Sequence, residues 1–391
     1  MKRLNEKQEQ IFLEEEKALK LFEEVCRTDV WKNCYTSEIQ AIPIDDAPIL
    51  MQEIRRKWNI AAEVSDDSMT ENMEDLRIGL SIPFDTCKQS YPLGDTAYAS
   101  LIQRAGFGSS PVLLNLTDKT SQKSMSPLAR ATVLNEGIKL FNNKALVLIR
   151  DEKVRAVLSG DESDYSVIPF DQVVSVLKTY LIGQFQAVKF ESAFASHMHF
   201  GATYVIKDKN LIGNVETIFS NAGVNVGTMK AAIRLISSDV GMSGVNLYPY
   251  VHGSGRTFMI GTPISLTHKN RNGLGEFANN CTKIMATFKE SESKLQVMET
   301  KPVKNVSGMF LRIAKQAGLP KKMCCEKAEA LEIMYGSNAK QIDLFTALYE
   351  VLEDYDAEKM LSNDRRLTLE EGISRIVFSR MEDFDLPFQW E

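Results

Sequence analysis

The feature that most constrains the fold is a block of strand-like sequence between residues 187 and 266. Apolar and polar residues alternate over residues 187–206, which is the pattern of a half-buried strand, and Gly201 marks a predicted bulge or bend. Three further runs rich in strand-forming residues follow it, at residues 229–236, 245–251 and 257–266. The block predicts one antiparallel sheet.

A tight hairpin is predicted before this block. Residues 145–150 and 154–159 are rich in strand formers, and only Asp151-Glu152-Lys153 separates them. Two other stretches, residues 41–48 with two prolines and residues 65–74 with a polar, acidic composition, are predicted loops.

Helical patterns precede and follow the strands. Over residues 4–26 apolar side chains recur near helical spacing among Glu and Lys, which predicts an amphipathic helix that packs or dimerises. A second predicted helix begins at a cap formed by Asp95 or Thr96 and ends near Gly106. The other predicted helices cover residues 127–141, 171–181, 274–299, 309–317, 326–335, 341–352 and 369–381.

The predicted fold class is α+β, with a central, mostly antiparallel sheet flanked by helices and a helical C-terminal region. At 391 residues the chain exceeds the roughly 250–300 residues at which single cores stop growing. We therefore predict three regions: an N-terminal helical region (residues 1–80), an α+β core (81–300) and a helical C-terminal region (301–391).

Composition excludes several classes of protein. Hydrophobic residues are 44% and charged residues 25% of the chain, as in ordinary globular proteins, so disorder and fibrous repeats are disfavoured. The longest aliphatic run, residues 145–149, is far shorter than the ~18 apolar residues of a membrane span. The charged N-terminus lacks an apolar stretch, which favours a cytoplasmic location, and the cysteines lack a C-x-x-C pair, which favours reduced thiols.

Charge is unevenly distributed along the chain, whose formal net charge is −6. Residues 186–275 carry a net +4 and all four histidines, whereas residues 321–391 carry −7. This pattern indicates either a basic face that meets phosphates or ordinary variation of the surface.

Six basic residues form the predicted nucleic-acid surface: Lys189, Lys230, Arg234, Arg256, Lys269 and Arg271. Four aromatic residues of the same block either stack on bases or belong to the core: Phe190, Tyr204, Tyr248 and Tyr250. The glycine-rich segments at residues 237–244 and 253–256 either cradle a phosphate through their backbone N–H groups or are plain turns.

Histidines offer the one pattern that suggests a metal. His197 and His199 are two apart, so on a strand both imidazoles would face one metal ion, with His252, His268 or Asp239 as a third ligand. The alternative is that they are partly buried, hydrogen-bonding side chains. The usual phosphate-loop, dinucleotide, hydrolase and zinc-protease signatures are missing from the sequence, and we predict no catalytic residue, no metal ligand and no cofactor.

Several short motifs, in order, resemble a known family. They are Asp95-Thr96-Ala97-Tyr98 with Leu101, Leu134-Asn135-Glu136, Leu148-Ile149-Arg150, Val154-Arg155-Ala156-Val157-Leu158-Ser159, Tyr165 with Pro169 and Asp171, and Ser238-Asp239-Val240-Gly241. Over residues 90–290 the chain resembles the phage- and plasmid-borne family catalogued as domain of unknown function 932. Its later C-x-N-G-like turn is not evident near residues 252–256. The resemblance implies a mobile-element protein in the cytoplasm of a bacterial host, and it transfers no catalytic residue.

Three functional hypotheses follow. The first is a non-enzymatic protein that binds nucleic acid, single-stranded DNA in particular, in replication or recombination. The second is a protein-interaction factor, such as an inhibitor of a host defence system, whose acidic C-terminal helices and N-terminal helix mediate assembly with a host or phage protein or into a homo-oligomer. The third is a metal-dependent hydrolase or nuclease that uses His197 and His199.

Overall fold

The computed structural model describes most of the chain, namely residues 9–44, 77–108, 126–160, 164–224, 227–253, 255–269 and 271–390. The strands of this part are β1 (Gln10–Phe12), β2 (Val30–Tyr35), β3 (Gln40–Ile44), β4 (Arg77–Phe84), β5 (Cys87–Pro92), β6 (Lys144–Arg150), β7 (Lys153–Ser159), β8 (Val188–Ala195), β9 (Phe200–Ile206), β10 (Lys230–Ser237), β11 (Val245–Gly253), β12 (Arg256–Met259) and β13 (Ile264–Leu266).

The helices of the described residues are α1 (Glu15–Thr28), α2 (Asp95–Arg104), α3 (Pro127–Leu140), α4 (Phe170–Gln184), α5 (Lys209–Ile212), α6 (Val215–Asn221), α7 (Leu274–Cys281), α8 (Ile284–Thr300), α9 (Val306–Ala317), α10 (Lys321–Tyr335), α11 (Gln341–Lys359) and α12 (Asn363–Arg380). Within this part of the chain, none of the helices combines the length and the apolar run that crossing a bilayer requires. The predicted α+β fold class is confirmed: helices flank antiparallel sheets, and the C-terminal region is helical.

The main sheet confirms the predicted antiparallel block. Its order is β1-β8-β9-β10-β11-β12, and β13 pairs with the other end of β11. Strand β10 shows why these residues form a central strand: it carries small and aliphatic side chains on both faces and is almost entirely buried. A register shift between Phe190 and Ser192 marks the bulge, whereas Gly201 is an ordinary member of β9.

Two smaller sheets lie beside the main one. The predicted hairpin is confirmed as β6 and β7, whose turn residues Asp151 and Glu152 have φ of 52° and 58°, as a two-residue hairpin turn requires. Strand β2 extends this hairpin to the order β2-β6-β7, and the third sheet has the order β3-β4-β5. A parallel bridge from Leu93 to Val154 joins the third sheet to β7.

Buried apolar residues form three clusters. The largest combines the main sheet with α1, α4 and the C-terminal helices, and it contains residues on both sides of position 300. The second fills the space between the two small sheets, α2 and α3. The third is small and distinct from the other two, and it groups Val240 of the β10–β11 loop with four buried side chains of β6 and β7. The division at residues 80 and 300 stays a prediction.

Some predicted elements differ from the structure. Residues 10–12 form β1 instead of the start of the predicted helix, because Ile11 and Phe12 pair with Phe194 and Ala193 of β8. The helix itself, α1, packs in the core through Ala18, Phe22 and Val25. Residues 4–8 of that prediction lie outside the described residues.

Two further predictions need correction. Residues 41–44 of the predicted loop at residues 41–48 belong to strand β3, because they pair with β4, and residues 45–48 of that prediction lie outside the described residues. The predicted long helix over residues 274–299 divides into α7 and α8. At the division the Asn280 side chain donates to the Ser265 carbonyl at 3.3 Å, which ties the end of α7 to β13. The predicted loop at residues 65–74 lies outside the described residues.

Candidate functional site

Three of the six predicted basic residues share one face of the main sheet. Lys230 and Arg234 lie four residues apart on β10, so their side chains point to the same face of the sheet. Lys189 of β8 also points to this face, because directly paired residues of neighbouring strands point the same way. All three cations lower the pKa of the Glu191 carboxyl, although burial of this group outweighs them and raises it overall.

Lys189 and Lys230 are the exposed members of this group. Neither ammonium group lies within 4.0 Å of a carboxylate of the described residues. We call these two lysines, with Glu191 and His252, the basic patch. His252 lies directly opposite Lys230 on β11, and its Nδ1 atom is 3.8 Å from the Glu191 carboxylate and 3.2 Å from the Thr257 hydroxyl.

The His252 imidazole is neutral at neutral pH. Burial, and then the charges of Arg234 and Lys230, lower its pKa to about 4. The nearby Glu191 carboxylate does not reverse this shift. The positive charge of the basic patch at neutral pH therefore comes from the lysines alone.

Arg234 is engaged in a buried network under α12. Its Nη1 atom lies 3.4 Å from the Glu370 carboxylate, and its guanidinium carbon lies 4.5 Å from the centre of the Tyr250 ring. Glu370 is fully buried, accepts from the Tyr250 hydroxyl at 2.6 Å and pairs with Arg366 at 2.9 Å. These contacts fix Arg234 in the interior of the fold, and its guanidinium serves the packing of α12 on the sheet.

The other predicted basic residues lie elsewhere. Arg256, at the start of β12, pairs with Glu350 of α11 at 3.5 Å. Lys269 and Arg271 are exposed and follow β13, which pairs with the end of β11 far from His252. The structure thus brings Lys189, Lys230 and Arg234 to one sheet face and places Lys269 and Arg271 beyond the other end of β11. Arg256 lies close to the basic patch, because its neighbour Thr257 pairs with His252, but its side chain is engaged with Glu350.

The predicted aromatic residues belong mainly to the core. Tyr204, Tyr248 and Tyr250 are at most 2% exposed, as the alternative of core packing requires. Phe190 is partly buried, and its ring packs edge-on with the Tyr204 ring, with the two ring centres 5.8 Å apart.

The predicted pair of histidines is not on a strand. His197 and His199 lie in the connection between β8 and β9, so the two-residue spacing does not place them on one sheet face. His199 instead meets Asp364 of α12 at 2.8 Å, and the same carboxylate accepts from the Ser196 hydroxyl at 2.9 Å. Among the described residues no three side chains of His, Cys, Asp or Glu form a group that could hold a metal ion.

A buried ionic cluster lies between the main sheet and the hairpin. Arg150, at the end of β6, forms two parallel hydrogen bonds with Asp29, of 2.6 and 2.7 Å, and a further ion pair with Asp239 of the β10–β11 loop. Burial alone would lower the pKa of Arg150, but Asp239 and Asp29 raise it above its usual value. Arg150 is therefore a permanent cation that joins three separate segments.

This cluster is not recognisable as a site from the sequence alone. Arg150, Tyr165 and Asp239 belong to the motifs that carry the family resemblance, whereas Asp29 belongs to no motif. The structure brings the motif residues together: Arg150 pairs with Asp239, and the Tyr165 hydroxyl faces the Ser238 carbonyl at 3.4 Å. The signal that could have pointed to them was an arginine at the end of an apolar strand, where an unpaired charge would be costly.

A cavity of about 40 Å³ adjoins the cluster. Its walls include Asp29 and Asp239. They also include a row of stacked rings, in which the centre of the Tyr165 ring lies 5.9 Å from that of Trp31 and 4.9 Å from that of His268. The His268 Nδ1 atom donates to the Ser166 carbonyl at 3.0 Å, since a carbonyl can only accept. The Nε2 atom is then an acceptor, and it is buried without a hydrogen-bond partner among the described residues. Burial lowers the pKa of His268 and keeps the ring neutral.

Comparison with known proteins gave no match: neither a family model, nor a curated protein, nor a solved structure matches the chain. The chemistry of the basic patch and of the cavity is therefore the basis on which function can be inferred.

Proposed function

We propose that the protein is a non-enzymatic nucleic-acid-binding protein that holds a single strand through the basic patch of its main sheet. The observation that carries this proposal is the position of Lys189 and Lys230 on one sheet face, exposed and without a carboxylate partner among the described residues. An exposed ammonium group without a carboxylate partner is suited to neutralise a backbone phosphate, and the two lysines together can each neutralise one.

The spacing of the two lysines is compatible with one phosphate backbone. They lie two strands apart and are offset by two residues along the strands, which corresponds to a distance of about 12 Å between their Cα atoms. Long, flexible side chains on such a base can contact phosphates of a single strand without a fixed geometry. The small number of charges favours weak, sequence-independent binding.

Two further expectations accompany this proposal. The order of the motifs in the sequence is the ground for proposing a distant relationship to the mobile-element family that they resemble. Binding of single strands would suit a role in replication or recombination of such an element. An interaction factor that targets a host protein is the alternative, and a binding titration distinguishes the two.

The experiment is a titration of the full-length protein with labelled single-stranded DNA, duplex DNA and RNA at several salt concentrations. For a single strand, each phosphate that a lysine neutralises makes the slope of log K against log salt concentration more negative by about 0.7. The Lys189→Gln/Lys230→Gln variant should therefore bind more weakly at low salt, with a salt dependence that is less steep by about 1.4.

The matched control is Lys88→Gln/Lys139→Gln, which changes the net charge equally but alters exposed residues of β5 and α3. It should leave the salt dependence unchanged. Equal weakening in both variants would show that only bulk charge matters and would remove the site assignment. No binding of the native protein to any nucleic acid at low salt would overturn the function and favour a protein partner. Retained binding in the first variant combined with weakened binding in Lys269→Gln/Arg271→Gln would move the surface to the other end of the sheet.

A further inference from the structure

The cavity beside Arg150 combines carboxylates, ring faces and an unused acceptor. Asp29 and Asp239 both line it, and they share a single guanidinium, that of Arg150. Burial raises the pKa of the Cys26 thiol, also in the wall, to about 12, so this group is neutral at neutral pH. With a neutral His268, the lining and Arg150 together carry a net charge of −1.

Two further carboxylates lie near this negatively charged cavity. A further carboxylate, Asp171, lies beside Cys26, and its Oδ1 atom is buried without a hydrogen-bond partner among the described residues. Asp151 lies near Asp29, where it is compensated by Arg155 at 3.6 Å. The nearest cation along the chain from His268 is Lys269, whose side chain is exposed. A cation is therefore the occupant that this charge distribution favours.

The remaining features select the kind of cation. Among the aromatic rings of the lining, both faces of Tyr165 are covered by Trp31 and His268, and Phe200 already has the Arg150 guanidinium 5.3 Å from its centre. The Trp31 ring is therefore the aromatic surface that can attract a further cation of low charge density. The His268 Nε2 atom and the Asp239 carboxylate are acceptors, so the occupant should carry N–H donors. A transition metal is disfavoured because the described side chains form no metal-binding group.

Size and access are consistent with a small organic group. A volume of about 40 Å³ accommodates a few water-sized groups. Val167 in the wall is 37% exposed and the Asp239 side chain 22%, so the cavity opens to solvent beside them. An alkyl chain could leave through this opening while its charged end stays inside.

We propose that this cavity binds the primary ammonium group of a small amine, held by the Asp239 carboxylate and the His268 Nε2 atom beside the Trp31 ring. The ammonium group donates to both acceptors and compensates the second carboxylate of the Arg150 cluster. The site lies at the junction of the main sheet and the hairpin, apart from the basic patch, and does not depend on nucleic-acid binding.

The test uses methylammonium chloride as the probe and the full-length protein. Saturation of the aromatic protons by NMR should transfer to the methyl protons of methylammonium, and a titration gives the dissociation constant. Asp239→Asn removes one charge-assisted hydrogen bond to the ammonium group and should therefore weaken binding about tenfold or more. The control Glu329→Gln, which removes one charge from an exposed position on α10, should bind as the native protein does.

A second variant keeps the test valid if Asp239→Asn does not fold. Trp31 is partly exposed on β2, an outer strand of its sheet, so Trp31→Leu should fold, and loss of the ring should weaken binding about threefold. The proposal would be overturned if the native protein transferred no saturation to the methyl protons of methylammonium. Equal dissociation constants for the native and variant proteins would overturn it as well. Displacement of methylammonium by an equal concentration of potassium would also overturn it, since a simple monovalent-cation site needs no N–H donors.

Discussion

At the scale of single residues, the structure separates charges that serve the fold from charges that face solvent. The guanidinium groups of Arg234 and Arg150 pair with buried carboxylates, whereas Lys189 and Lys230 remain exposed. The planar guanidinium forms several directed hydrogen bonds at once and suits an interior ion pair, whereas the strongly hydrated ammonium of lysine favours water. On the face of the main sheet, the arginine of the predicted basic surface therefore serves the fold, and the two lysines face solvent.

The buried network under α12 makes a sharp prediction. Glu370→Gln leaves the guanidinium groups of Arg234 and Arg366 without their shared carboxylate in the interior. Removing one partner of a buried pair costs about 3–5 kcal/mol. We expect a decrease of this size in the free energy of unfolding, measured by urea denaturation.

The neighbouring residue provides the control for this measurement. Glu371 pairs with Arg375, whose side chain is 71% exposed, and such surface pairs contribute about 0–1 kcal/mol. Glu371 also accepts from the Tyr248 hydroxyl at 3.5 Å, and the amide oxygen of Gln can still accept this hydrogen bond. Glu371→Gln should therefore change the free energy of unfolding by less than about 1 kcal/mol. Similar decreases in both variants would contradict the assignment of Glu370 as the centre of the network.

At the scale of elements, the apolar pattern of the sequence agrees with the observed secondary structure for most helices and strands. It disagrees where pairing with a distant strand determines the structure of a segment. The central strands and the helices α3, α4 and α9 follow their apolar pattern, because each presents that pattern to a neighbouring layer. Strand β1 does not follow its pattern, because backbone pairing with β8 outweighs the helical preference of so short a segment. A short sequence window contains no information about such a partner.

Glycine in a helix provides a test at this scale. On α3, a Cβ atom at Gly137 would clash with the carbonyl oxygen of Ala105, at the end of α2, and with the Phe107 ring. Gly137→Ala should therefore lower the free energy of unfolding by about 1–3 kcal/mol, as overpacking does, even though alanine favours a helix.

The same substitution should have the opposite sign on α4. A Cβ atom at Gly183 meets nothing within 4 Å, so Gly183→Ala gains only the helical preference, about 0.5 kcal/mol. Thermal or urea unfolding of the two variants measures both effects. A stabilising Gly137→Ala would show that α2 and α3 are not in close contact.

At the scale of the whole molecule, the structure joins two cores through a small contact region. The main sheet and the hairpin meet at the Arg150 ion pairs and at the small third cluster, which groups Val240 of the β10–β11 loop with Leu146, Leu148, Ala156 and Leu158. The proposed ammonium site lies at this junction. A ligand there would contact residues of both sheets.

Val240→Asp tests the junction. The change places a carboxylate among aliphatic side chains, which is costly without a partner. We expect faster hydrogen exchange of the amides of β6 and β7, while the amides of β9 and β10 keep their protection because the main core is unchanged. Met242→Asp, in the same loop at a side chain that is 53% exposed, should leave exchange unaffected. Equal protection in the two variants would mean that the cores do not depend on this contact.

The sequence by itself determined the fold class, the antiparallel block, the hairpin and most helices, because apolar periodicity is a local property that each segment carries within itself. It also indicated six basic residues in and beside that block, but only the structure showed that Lys189 and Lys230 are exposed whereas Arg234 is engaged with Glu370. Only the tertiary structure decided which charges meet. Arg150 is 121 residues from Asp29 and 89 from Asp239, and His268 is 102 from Ser166. Contacts between single residues so far apart leave no periodic signal in the chain, since they arise only when the layers that carry those residues pack together.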